Sequence, residues 1–315
     1  MQATARLTAP DALRPRKRRK AIQFSASDPE GLWGDVLGFR PHGGRFRAVR
    51  RLVTLLLWTL LAIPVQALLL VLPGRGHVAF ARIYHRTLCA LMGLRIQVVG
   101  EPAPGAPVLY VSNHSSWLDV LVLGATLEAA FVAKSEIEGW PLIRTVAKLG
   151  RTVFVSRRRT GTKGEADAIR TRLGAGDSLI LFPEGTTSDG GRVLPFRSAF
   201  LSVADRAQVV QPVSVVFDRL GGLPACRRDR PLFAWYGDTD IFTHFWRFAR
   251  RSNGRATIIL HAPMDPADYP DRKALALACA GVVADACATL RQNRPAVPLR
   301  AATPPRVARP ETVPA

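Results

Sequence analysis

The sequence predicts an α/β protein, built on a mainly parallel or mixed sheet flanked by helices and preceded by an N-terminal membrane-embedded helical segment. Three observations predict it. From about residue 95 onward, short apolar runs alternate with helix-like periodicity. Residues 52–72 form the chain's one long uncharged apolar stretch. Two polar elbows, 113–119 and 182–187, each follow an apolar run. Ligands of open α/β sheets gather beyond the carboxyl ends of the strands.

Residues 1–45 are rich in Ala, Pro, Arg and Lys and contain the basic run 14–20, the pattern of a largely disordered, solvated arm. No apolar core follows that run closely, so no cleavable signal peptide is expected. Residues 46–90 read as a membrane-associated helical segment. The stretch 52–72 has the length of a minimal span, but Pro64 sits near its middle and predicts a kink or break. Each half is then only ~12 residues, about 18 Å at the α-helical rise, too short to cross. Both flanks are basic: Arg45, Arg47, Arg50 and Arg51 before, Arg75, Arg82 and Arg86 after. Matching flanks place both ends on the cytoplasmic side. They favour a segment that dips into one leaflet and returns over a single kinked span.

Residues 91–292 read as the folded domain. Strands are expected at 95–99, 108–112, 130–133, 152–156, 178–182, 209–216 and 256–261. Helices are expected at 117–127, 141–149, 164–175, 198–205 and 272–291. A further helix at 241–251 would place Ile241, Phe242, Phe245, Trp246, Phe248 and Ala249 on one apolar face. Thr243, His244, Arg247, Arg250 and Arg251 would lie opposite, either against anionic headgroups or facing water. Residues 293–315 read as a disordered Pro-, Ala- and Arg-rich tail.

The formal net charge of +20 calls for an anionic partner. A basic nucleic-acid-binding protein is the non-enzyme reading. It lacks support from zinc-finger spacing, an RNP-like aromatic motif or heptads, so no nucleic acid is expected. Cys89, Cys226, Cys279 and Cys287 form no Cys-x-x-Cys pair and fit a reducing compartment. The six histidines are scattered without ligand spacing, so no metal is expected.

The first elbow is Asn113-His114-Ser115-Ser116-Trp117-Leu118-Asp119. On a regular helix, positions five apart point about 140° away from each other. His114 and Asp119 can meet if the histidine lies in the loop and the aspartate in the first turn of the next helix, with Ser115 or Ser116 as N-cap. The aspartate then fixes the imidazole tautomer and stabilises the imidazolium that forms on proton uptake. No Gly-x-Ser-x-Gly occurs and no cysteine lies near His114, so the base is expected to activate a substrate hydroxyl. The second elbow, Phe182-Pro183-Glu184-Gly185-Thr186-Thr187, adds a carboxylate and a glycine that lets backbone approach a ligand. Backbone amides near Gly185 or at Ser115 are the expected oxyanion donors.

With these blocks the chain resembles the glycerolipid acyltransferases typified by 1-acyl-glycerol-3-phosphate acyltransferase. The family order is Asn-His-x4-Asp, Gly-x-x-Phe-Val-x-Arg, Phe-Pro-Glu-Gly-Thr and Val-Pro-Val. Here the blocks fall at 113–119, 150–157, 182–187 and 211–214, and the resemblance covers roughly 80–265. It implies that 91–292 is an acyltransferase domain, with His114 as catalytic base and Asp119 as its partner. It places Arg157, Glu184, Gly185 and Thr186 at the acceptor-binding surface. The implied reaction takes a fatty acyl group from acyl-CoA or acyl carrier protein, with no other cofactor, to a lysolipid hydroxyl. The implied place is the cytoplasmic face of the inner membrane. The first-ranked acceptor is 1-acyl-sn-glycerol-3-phosphate, giving phosphatidic acid. Thr187 stands where many such enzymes carry an arginine, which suits phosphate through its two-pronged donor geometry. In that respect, and in Trp235-Tyr236-Gly237-Asp238, the chain looks like the bacterial lyso-ornithine lipid acyltransferases, the alternative reading.

Overall fold

Alternating apolar runs become a sheet whose two faces are both covered by helices. The computed structural model describes residues 44–134, 141–155 and 162–301. The strands are β1 (Leu94–Val99), β2 (Val108–Ser112), β3 (Ala130–Lys134), β4 (Val153–Val155), β5 (Leu179–Leu181), β6 (Val209–Leu220), β7 (Leu223–Pro224) and β8 (Gly254–Leu260). Their order is β1-β8-β6-β2-β5-β3-β4, with β7 paired to β6. Strands β6, β2, β5, β3 and β4 are mutually parallel, whereas β8 pairs antiparallel with β6 and parallel with β1.

The helices are α1 (Gly44–Val71), α2 (Gly76–Met92), α3 (Trp117–Thr126), α4 (Pro141–Leu149), α5 (Thr162–Gly174), α6 (Arg230–Phe233), α7 (Ile241–Ala249) and α8 (Arg272–Arg291). Successive residues of β2 point to opposite faces. Leu109 and Val111 join a core built with α5 and α8, while Val108 and Tyr110 join one built with α2, α3 and α7. The stretch expected as an α-helix at 198–205 is instead a 310 helix, Ser198–Arg206. Its buried Leu201 and Ala204 are three apart, the repeat of that tighter helix.

The N-terminal segment differs from expectation in where it turns. Helix α1 does not break at Pro64 but continues to Val71. The Pro64 ring removes one backbone donor, and the helix on either side carries the element through. The chain reverses at Pro73-Gly74, where Gly74 takes φ +99°, and α2 returns. The pairing is antiparallel: Gln66 Nε2 donates to His77 O at 3.1 Å, and Thr59 Oγ1 lies 3.0 Å from the Tyr84 hydroxyl. At the open end, Arg51 Nη1 donates to the carbonyls of Ala249 and Arg251 at 3.0 and 2.9 Å, capping the end of α7.

The outer face of α1 remains apolar and uncovered, with Leu57, Leu60, Leu61 and Leu68 all more than half exposed. Among the described residues, α1 and α8 are long and apolar enough to cross a membrane. Helix α8 buries Leu275, Cys279, Val283 and Cys287 in the core, whereas the apolar outer face of α1 is uncovered. The 14–20 basic run and the last residues of the tail lie outside the described residues.

Candidate active site

Strand β2 ends at Ser112, and Asn113 fastens that end to the sheet. Its side chain mimics a backbone unit: Nδ2 donates to Val215 O at 2.9 Å, and Oδ1 accepts from Val215 N at 2.8 Å. The chain is then free to turn at His114 and enter α3. Ser116 is the N-cap, accepting from Leu118 N at 3.2 Å, and Asp119 completes a capping box.

The turn brings His114 and Asp119 together. The ring Nδ1 lies 2.9 Å from Asp119 Oδ2. The same oxygen accepts the amides of Ser115 at 2.6 Å and Ser116 at 2.8 Å. Three N–H groups converge on one carboxylate oxygen, so Nδ1 is the protonated ring nitrogen and Nε2 the basic one. Asp119 is fully buried, whereas the His114 side chain keeps 20% of its surface exposed. Nε2 makes no hydrogen bond among the described residues. Phe182 stacks on the imidazole with ring centres 4.0 Å apart and planes 16° from parallel, which fixes the ring and covers one face.

The second elbow reaches the first through Glu184, which is 2% exposed. Its Oε1 accepts the amide of His114 at 2.9 Å, and its Oε2 accepts the amide of Leu194 at 3.1 Å. Burial pushes this carboxyl up to about 7, opposed by those two hydrogen bonds. Glu184 therefore holds the His114 loop from beneath. Gly185 takes φ +69°, and a Cβ there would come within 3.3 Å of the Phe200 ring. Thr186 is exposed at the rim. Arg157 lies outside the described residues.

The two amides expected as oxyanion donors are engaged internally, that of Ser115 by Asp119 and that of Gly185 by Phe182 O at 3.1 Å. The neighbouring amides of Thr186 and Thr187 make no hydrogen bond among the described residues. Two supports were not expected. Trp235 N donates to Ser115 O at 2.8 Å, so the 235–238 loop buttresses the first elbow. Trp117 Nε1 donates to His244 Nδ1 at 3.0 Å. His244, expected on the outer face of its helix, is instead 1% exposed. Burial lowers its pKa to about 4, so the ring is neutral and can accept the indole proton. Phe242, expected on the same face as Phe248, is 79% exposed.

The arrangement supplies an oriented imidazole base whose Nε2 bonds no protein hydroxyl or thiol among the described residues, which suits proton removal from a bound hydroxyl. No cluster of His, Cys, Asp and Glu among the described residues is arranged to hold a metal ion.

The sequence matches the Acyltransferase family over residues 95–216. It is 40% identical over 223 residues to the lyso-ornithine lipid O-acyltransferase of Brucella abortus (strain 2308), covering 68% of this chain and 84% of that protein. It is 34% identical over 182 residues to the 1-acyl-sn-glycerol-3-phosphate acyltransferase of Neisseria gonorrhoeae, covering 56% of this chain and 69% of that one. The crystal structure of the 1-acyl-sn-glycerophosphate (LPA) acyltransferase PlsC from Thermotoga maritima shares the fold. The TM-score is 0.56 at 20% identity, over 78% of this chain and 99% of that one. With the histidine–aspartate elbow placed at a strand end of that fold, and with these relatives, the chain belongs to the acyltransferase family.

Proposed function

We propose that this acyltransferase moves a fatty acyl chain from a thioester donor, acyl-CoA or acyl carrier protein, to the free hydroxyl of a lysolipid at the cytoplasmic face of the inner membrane. The observation that carries the reading is the 2.9 Å contact from His114 Nδ1 to Asp119 Oδ2, which leaves Nε2 as the base. Nε2 removes the hydroxyl proton as the oxygen attacks the thioester carbonyl. The tetrahedral intermediate collapses with loss of the C–S bond, and the imidazolium returns its proton to the departing thiolate. The amides of Thr186 and Thr187 are the free donors on the second elbow and would receive the oxyanion. Arg157, Glu184, Gly185 and Thr186 belong to the acceptor side in this reading, Glu184 by holding the elbow and Thr186 at its rim. The exposed apolar face of α1 and its flanking arginines support attachment to an anionic leaflet in this reading.

The resemblance in the motifs ranks 1-acyl-sn-glycerol-3-phosphate first as acceptor, and the Neisseria relative supports it. Lyso-ornithine lipid is favoured by Thr187 at the arginine position and by the higher identity to the Brucella enzyme. Purified protein offered both lysolipids with both donors should form an ester product with at least one acceptor. Failure to esterify either one with either donor would sink the reading. The ratio of kcat/KM between the acceptors ranks them.

A further inference from the structure

Beside the catalytic elbow lies a cleft with two arginines in its wall and no anion paired to them. It is small and partly open to solvent, and its lining includes Ser115, Asp218, Arg230 and Arg291. Ser115 follows His114 directly in the sequence, so the cleft is walled by the same elbow that carries the base. Among the described residues, neither Arg230 nor Arg291 makes an ion pair or a side-chain hydrogen bond. The carboxylate in the wall, Asp218, is already held by Arg255. Burial, together with the positive charges of Arg291 and Arg227, lowers the pKa of Arg230, with Asp189 opposing. The field of Arg291 also reaches Glu184, beneath the His114 amide. Two cations that repel each other in a cleft are stabilised by an anion between them.

The position selects which anion. The hydroxyl that reacts must sit at His114 Nε2. In 1-acyl-glycerol-3-phosphate the phosphate lies a few bonds from that hydroxyl, and in lyso-ornithine lipid the ornithine carboxylate does. In a thioester donor the nearest phosphate lies at the far end of the pantetheine arm, well away from the reacting carbonyl. An anion site that starts next to His114 fits the short tether. We infer that Arg230 and Arg291 form the subsite for the anionic headgroup, phosphate or carboxylate, of the lysolipid acceptor. The inference rests on the acyltransferase reading and supplies the charge that Thr187 does not.

The test is binding first and turnover second. Full-length protein in neutral detergent micelles is titrated with lysophosphatidate, lyso-ornithine lipid and, as an uncharged reference, monoacylglycerol. The wild type should prefer at least one anionic lysolipid over monoacylglycerol. Arg230→Gln and Arg291→Gln should each weaken that preference about tenfold, and the double variant should abolish it. Arg227→Gln/Arg228→Gln, which removes the same charge from exposed neighbours, should leave it in place. In the acyl-transfer assay the two cleft variants should raise the acceptor KM and leave the donor KM unchanged. A preference that survives in the double cleft variant, or a rise confined to the donor KM, overturns the subsite. Wild-type protein that binds but transfers nothing would instead overturn the acyltransferase reading, with the binding result still deciding the subsite.

Discussion

Glu184 accepts the backbone amide of His114 at 2.9 Å, joining the end of β5 to the end of β2. Its second oxygen holds Leu194 further along its own loop, so one buried carboxyl braces that loop and ties it to the His114 loop at the base of the site. Burial places its pKa at about 7, against about 4.5 for an exposed glutamate. The folded state therefore holds the proton more tightly than the unfolded state. The stability this contributes is complete below about pH 4.5 and is lost as pH rises through 7. Glu184→Gln keeps one acceptor, cannot titrate and turns an amide toward Leu194. Unfolding free energies of wild type and variant, measured from pH 4.5 to 8, should differ by an amount that changes on the order of 3 kcal/mol, with the wild type losing stability as pH rises. Parallel curves across that range would show that Glu184 does not titrate as described.

Asp119 has two tasks that substitution separates. It caps α3 and it orients His114. Asp119→Asn can leave an oxygen at the Oδ2 position for the Ser115 and Ser116 amides and for Nδ1–H, but it removes the negative charge that stabilises the imidazolium. With that charge gone, kcat should fall by roughly 10²- to 10⁴-fold with the fold retained. His114→Ala removes the base itself and should lose at least as much. Near-normal turnover in a folded His114→Ala protein would remove this histidine from the mechanism.

Gly124 sits where α2 crosses α3. A Cβ there would lie 2.8 Å from two atoms of the His85 ring. The ring is held by its own bond from Nδ1 to Ala81 O at 2.8 Å, so it cannot swing away freely. Alanine is the better helix former by about 1 kcal/mol, yet overpacking of this kind costs about 1–3 kcal/mol. Gly124→Ala should lower the melting temperature. A higher one would mean that the α2–α3 contact yields easily.

These contacts also mark what a sequence can and cannot reveal. Strand β2 and helices α4 and α8 fall where the sequence pattern placed them, because each is an uninterrupted run of one pattern. The meeting of His114 and Asp119 was legible because both lie in one loop–helix start, where N-cap chemistry leaves few geometries. Pairs set by tertiary packing were not legible. Trp117 and His244 are 127 residues apart, and Arg51 and Ala249 are 198 apart. A histidine on a basic helix gives no sign that an indole N–H will bury it. Helix α2 left little trace as a separate element, since His77, Arg82, His85 and Arg86 interrupt its apolar stripe. Pro64 gave a misleading one, because a proline reports a lost donor and not where a chain reverses.

The α1–α2 hairpin stays on the catalytic domain along its whole length. At its open end Arg51 caps α7, and near its tip Gln66 Nε2 donates to Leu149 O at 3.1 Å. Arg75 and Arg82 reach Glu128 at 3.4 and 3.1 Å, an exposed pair of contacts that adds little energy but fixes which side the tip is on. A tip tied to the domain surface cannot also lie across a bilayer from it. The uncovered leucines of α1 should therefore enter one leaflet from the side. Cysteines introduced as Pro73→Cys at the tip and Glu101→Cys on the domain test this once exposed Cys226 is replaced by serine. A membrane-impermeant maleimide should label both in inside-out vesicles and neither in right-side-out vesicles. Labelling of residue 73 from the opposite face to residue 101 would make the hairpin a crossing pair and break the contacts at Leu149 and Glu128.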